Sequence, residues 1–174
     1  MTKEHNQDEP NEELAVRAGD LVRAGQLDEA EALLHRLPSG IEFSGWLHEK
    51  AISLILLASH RADRGESKRA LETLHEALAA CSGLRRGGTW EEAACLLQVG
   101  AVFQKLGQHG DAIDVWRQAG ARAQAGQDRD VDCLKILSQV ARDLARCGDR
   151  DRALELAQSI GVEEIRSRTL ADIG

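Results

Sequence analysis

The chain has no tyrosine, two phenylalanines and three tryptophans among its 174 residues. An aromatic cage for a cation or a stacking platform for nucleotide bases therefore has little to draw on. Proline occurs twice, so little interrupts a helix from within. β-Branched residues are scarce as well: 8 Val, 8 Ile and 4 Thr stand against 25 Ala and 23 Leu. Strands favour the first group and helices the second. These shortages exclude a sheet-rich fold and leave an all-α one.

Long apolar runs are missing too. The longest, near Ala51–Ala58, is interrupted by Ser53 and falls far short of the ~20 residues that cross a bilayer; no membrane partner is expected. Positive charge is the minority sign, 22 Lys and Arg against 29 Asp and Glu, for a net charge of −7. Phosphate binding needs clustered cations, so no nucleic-acid partner is expected either. Glu4, Asp8, Glu9, Glu12 and Glu13 crowd the first thirteen residues against the single base Lys3. Residues 1–10 are accordingly expected as a disordered acidic tail and 11–174 as one helical domain. The start of the chain carries no apolar leader stretch. Cys81, Cys95, Cys133 and Cys147 form no C-x-x-C pair. Reduced, structural thiols in a cytoplasmic protein are the expectation.

What the chain does have is a spacing. Ala18, Leu21, Gly25, Ala30, Leu34 and Leu37 are matched by Ala58, Arg61, Gly65, Ala70, Leu74 and Ala77. The series continues with Gly100, Phe103, Gly107, Ala112, Trp116 and Ala119, then Ala141, Leu144, Gly148, Ala153, Ala157 and Ile160. The central glycines step by 40, 42 and 41 residues. Apolar residues before each Gly recur at helical intervals. The Gly ends that helix at no Cβ cost, and a second helix follows. Asp28, Ser67, Asp111 and Asp149 stand where a side chain would cap it. The expected helix pairs are 11–24 with 28–37, 45–64 with 67–81, 89–106 with 110–124, and 130–147 with 150–160. Leu170, Ile173 and Gly174 read as the start of one further helix, either a cap on the last pair or an inter-chain contact.

This order of small and large residues resembles the tetratricopeptide repeat family. The third segment carries the resemblance best, in Leu96, Val99, Gly100, Phe103, Gly107, Ala112, Trp116 and Ala119. The other segments keep the small residues and the Gly but lack the aromatics, and the steps exceed that family's usual unit of about 34 residues. The resemblance covers about residues 11–174. It implies a right-handed α-solenoid of about four antiparallel helical hairpins plus a short C-terminal helix.

In that family the inner faces of the first helices form a concave groove for a peptide or helix. The corresponding candidate residues here are Ile52, Ile55, Leu56 and Ser59, then Leu97, Gln98, Ala101 and Lys105, then Lys135, Gln139, Arg142 and Arg146. The first set is apolar and reads equally as groove or as core. Arg142 and Arg146 lie one turn apart, placed to hold a carboxylate together. The carboxylate clamp of the family's chaperone-binding members is not reproduced, because Ala15, Gly19 and Leu56 stand where its polar residues belong. The expected role is a non-catalytic adaptor or scaffold whose partner is a peptide or amphipathic helix with acidic residues at one end. Self-association is a further expectation, through the last helix or through exposed Trp46 and Trp90. The alternatives are a secretion-type or assembly chaperone holding a client segment, and an all-helical enzyme or regulatory subunit with a site near His60 and His75.

Chemistry has few footholds in this sequence. It contains no nucleophile elbow, no phosphate-binding P-loop and no H-E-x-x-H pair. Arg85-Arg86-Gly87-Gly88 reads as a linker before an anion site. His60 and His75 fall on neighbouring helices, but a metal there would want further ligands. No cofactor, metal or enzymatic activity is expected.

Overall fold

The computed structural model describes residues 8–38, 46–84, 89–126 and 130–174. Among these residues there are nine helices and no strand. They are α1 (Asp8–Arg23), α2 (Leu27–Arg36), α3 (Trp46–Asp63), α4 (Ser67–Gly83), α5 (Thr89–Lys105), α6 (His109–Gly126), α7 (Val131–Arg146), α8 (Arg150–Ser159) and α9 (Glu163–Ile173). The chain is all-α, as its composition requires. The first helix begins at Asp8, within the stretch expected to be tail. The last is an eleven-residue helix from Glu163 rather than a short start near Leu170.

Each helix pair turns on the same device. Gly25, Gly65, Gly107 and Gly148 have φ of 79°, 75°, 77° and 90°, a region that L side chains enter only at a cost. At Gly25 the glycine N–H donates to Val22 O, and the next N–H, that of Gln26, donates to Leu21 O, both at 2.9 Å. This is the Schellman closure, which satisfies carbonyls that the helix end leaves free. The same two bonds recur at Gly65, Gly107 and Gly148, with Arg61, Phe103 and Leu144 as the distal acceptors. In the second helix the N–H of Ala30, Ala70, Ala112 or Ala153, each fully buried, donates to the residue that follows the Gly.

The expected side-chain caps do not form. α2 and α6 start one residue earlier than expected and α4 and α8 start where expected; Gln26, Glu66 and Asp149 are the N-caps of α2, α4 and α8, and none of the three side chains caps. Asp28 and Asp111 sit inside the first turn instead, where a negative charge still complements the helix dipole. Asp149 is engaged elsewhere, accepting from Arg117 Nε at 2.9 Å. A true side-chain cap forms at α7, where Asp130 accepts from Asp132 N–H at 2.8 Å.

The helices fall into two compact units, residues 1–87 and 88–174, where the sequence suggested one domain over 11–174. In the first unit α1 packs on α2 and α3, and α3 packs on α4. Its core includes Ala18, Leu34, Trp46, Leu54, Leu57 and Leu74. In the second, α7 is central and packs on α5, α6, α8 and α9. Val99, Trp116, Leu137, Leu144, Leu156 and Ile160 are buried there. Trp46, expected on the surface as a contact for self-association, is fully buried, and Trp90 is partly exposed. An indole buried in the core cannot serve as a docking surface. Arg85–Gly88 lies outside the described residues.

The paired positions trade size most clearly in the third hairpin. Ala18 goes with Leu34, Ala58 with Leu74, Gly100 with Trp116 and Ala141 with Ala157. A methyl group at Gly100 would land on the Trp116 indole. That indole donates from Nε1 to Leu97 O at 3.1 Å. The third hairpin thus accepts the largest side chain only by giving up Cβ on the facing helix.

Candidate partner-binding surface

The α7 stripe is what its packing leaves over. Four neighbouring helices bury Cys133, Leu134, Ile136, Leu137, Ser138, Val140, Ala141 and Leu144. Lys135, Gln139, Arg142 and Arg146, all expected as groove residues, lie on the remaining face. They recur at the three- and four-residue steps that keep a helix face in line.

The stripe is internally bonded. Lys135 Nζ is 2.7 Å from Asp132 Oδ1, and this partner raises the ammonium pKa. Arg142 Nη1 meets Asp172 Oδ2 of α9 at 3.0 Å, and its Nη2 donates to Gln139 Oε1 at 2.9 Å. Gln139 Nε2 donates to both Asp143 oxygens at 3.0 Å, and Arg146 Nη1 donates to Asp143 Oδ1 at 3.2 Å. The two arginines therefore form one chain of contacts through Gln139 and Asp143 rather than two free cations. Cys147, at the end of the stripe, has its thiol pKa pushed up by burial and by the Asp143 carboxylate. That disfavours the thiolate a reactive cysteine needs.

On α5, Gln98, Ala101 and Lys105 are exposed and Leu97 is partly so. In the first unit Ile52, Leu56 and Ser59 are partly exposed on α3, whereas Ile55 is 2% exposed. Ile55 is core although it lies one turn from Ile52 on the same side of α3, because the helices packed on α3 cover it. The choice between groove and core thus divides within the set. His60 and His75 are exposed, and no group of three potential metal ligands occurs among the described residues. None of the four cysteines forms a disulfide.

Two features were not anticipated from sequence. Arg61 occupies the slot held by Leu21, Phe103 and Leu144 in the other hairpins, yet it is 2% exposed. Its charge meets Glu31 Oε2 at 2.6 Å. The signal was present: both residues are charged where the aligned positions are apolar. The second is Lys50, which lies 5.7 Å from the Trp46 ring centroid and 3.4 Å from Leu37 O and Pro38 O. Burial lowers its pKa, opposed by the Glu76 carboxylate.

No family model matches this chain. None of the curated proteins and none of the solved structures matches it either.

Proposed function

We propose that this protein is a non-catalytic interaction adaptor of the tetratricopeptide-like kind, whose hairpins stack as a right-handed α-solenoid within each unit. The stacking is supported by the recurrent glycine turn and by the contact order. Within the units first helices touch first helices, α1 with α3, α5 with α7 and α7 with α9, and second helices touch the next first helix, α2 with α3, α6 with α7 and α8 with α9. The partner is a peptide or amphipathic helix carrying acidic residues, and the setting is the reducing cytoplasm, in keeping with four cysteines that form no disulfide.

The observation that carries the reading is the α7 stripe. A helix packed on four sides retains a single face, and Lys135, Arg142 and Arg146 lie on it with the amide of Gln139 between them. Exposed ion pairs of this kind contribute only about 0–1 kcal/mol. A partner carboxylate can therefore replace the internal one at little cost, and Arg offers it two-pronged geometry.

The test is a paired capture from host lysate. The full chain and a variant carrying Lys135→Glu, Arg142→Glu and Arg146→Glu serve as baits, with circular dichroism to show equal helicity. A partner held by the first and lost by the second supports the reading. The same proteins on both baits, or none on either, would refute it.

A further inference from the structure

The first unit contains a buried charge that the binding reading does not use. Arg61 lies on α3, at the helix end that closes on Gly65. Three of the four hairpins fill this slot with Leu or Phe. Here the guanidinium is held from within its own hairpin: Nη1 donates to Thr73 Oγ1 of α4 at 2.6 Å, and Thr73 Oγ1 donates in turn to Arg69 O at 2.8 Å. Nη2 is directed at Glu31 Oε2 of α2, 2.6 Å away as an ion pair, and Nε has no acceptor among the described residues. Arg61 is therefore positioned by the second hairpin, and its counter-charge arrives from the first.

Glu31 is in its own aligned slot the single acid, standing where Leu71, Ile113 and Leu154 occur. It also meets Arg69 Nη2 of α4 at 2.8 Å. Arg69 is shared with Asp28 of α2 at 3.4 Å and Glu66 at 3.2 Å. A further contact between α2 and α4 joins His35 Nε2 and Glu76 Oε1 at 3.8 Å; it is exposed and ionic only when the imidazole is protonated. Of the acids facing the second hairpin, Glu31 alone reaches a buried cation. Two substitutions at unrelated positions in the alignment have thus produced one complementary pair.

We infer that the Glu31–Arg61 pair is an electrostatic latch: it sets how the α1–α2 hairpin docks on α3–α4, and loss of the Glu31 charge releases that hairpin ahead of the rest of the unit. The physical asymmetry is clear. Removing one member of a buried pair strands the other, whereas replacing both with apolar groups is often tolerated. Stranded Arg61 keeps the Thr73 hydroxyl of its own hairpin, and α2 is the element that brought its counter-charge. The latch does not depend on what α7 binds.

Hydrogen exchange of the full chain, resolved by peptide mass spectrometry, tests this. Glu31→Gln is expected to speed exchange in α1 and α2 by tenfold or more at neutral pH while α7 and α8 keep wild-type rates. Adding Arg61→Leu to Glu31→Leu is expected to restore most of the protection, since no charge is then stranded. Unchanged exchange in α1–α2, or equal acceleration through α3 and α4, would overturn the latch. The wild-type chain gives a second reading that needs no variant. Arg61 holds the Glu31 carboxyl below its usual range, against the opposing effect of burial. Protection of α1–α2, corrected for intrinsic rates, should be complete above the ordinary carboxylate range and be lost before that of α3–α4 as pH falls through the lowered value. Simultaneous loss in all four helices would count against the latch.

Discussion

The α3–α4 and α5–α6 hairpins share a turn, a spacing and a set of fully buried alanines, yet fill the same interior slots by opposite means. In α5–α6 the slots take Phe103 and Trp116, and Gly100 gives up its side chain to admit the indole. In α3–α4 they take Arg61 and Leu74 over Ala58, and the charge is balanced from α2. The first solution depends on shape and is contained in one hairpin. The second depends on charge and requires a neighbour. A repeat spacing therefore constrains the backbone more tightly than it constrains the chemistry of the interior.

The largest effect should come from disturbing the shape solution. Gly100→Ala is expected to destabilise the second unit by about 3 kcal/mol, the cost of overpacking a filled core, read as a shift in urea midpoint. Joining it to Trp116→Leu recreates the Ala and Leu pairing of the first two hairpins. That double variant should regain much of the loss. A double variant no better than Gly100→Ala alone would break the size-compensation argument.

The charge solution should be asymmetric. Glu31→Gln leaves Arg61 buried without its counter-charge, with only a neutral amide oxygen to accept from it, and should cost about 2 kcal/mol. Arg61→Leu leaves Glu31, whose side chain is 25% exposed and still meets Arg69. It should cost roughly 1 kcal/mol, the size of a modest lost contact. Equal losses in thermal unfolding would mean that burial of Arg61 is not what matters.

Smaller still, Gly65→Ala and Gly107→Ala should each cost about 1 kcal/mol by forcing Ala into the left-handed region. Nothing lies within 4 Å of an added Cβ at either glycine, so the two values should agree. Disagreement would show that the turns are not energetically alike. The smallest change should be Arg142→Ala. It breaks the pair with Asp172, whose side chain is 40% exposed, and stability should move by about 0.5 kcal/mol or less. A larger loss would make Arg142 a structural residue rather than a free binding group.

Much of the fold was legible because backbone signals are local. Glycine at the four turns announces a left-handed residue, and all four adopt one. The cap assignments at Asp28, Ser67 and Asp111 missed because the Schellman turn sets where the next helix starts, not the nearest good capping residue. On the surface, offsets carried over from the repeat resemblance picked out Lys135, Gln139, Arg142 and Arg146, and the four share one face because α7 is amphipathic. The apolar set on α3 could not be sorted in the same way. Ile52, Ile55 and Leu56 have similar side chains, and only the positions of neighbouring helices decide that Ile55 is buried and the other two partly exposed. Exposure of Trp46 was misjudged for the same reason.

The sequence by itself determined an all-helical chain, the four reversals and the small residues that line their crossings, since these follow from conformational preference and from periods of three and four. Tertiary structure decided which charges meet. Arg61 and Glu31 are thirty residues apart by subtraction of their numbers and lie on different hairpins. Arg142 finds Asp172 the same distance along the chain. Coulomb pairing depends on separation in space and on burial, and neither is set until the helices have packed.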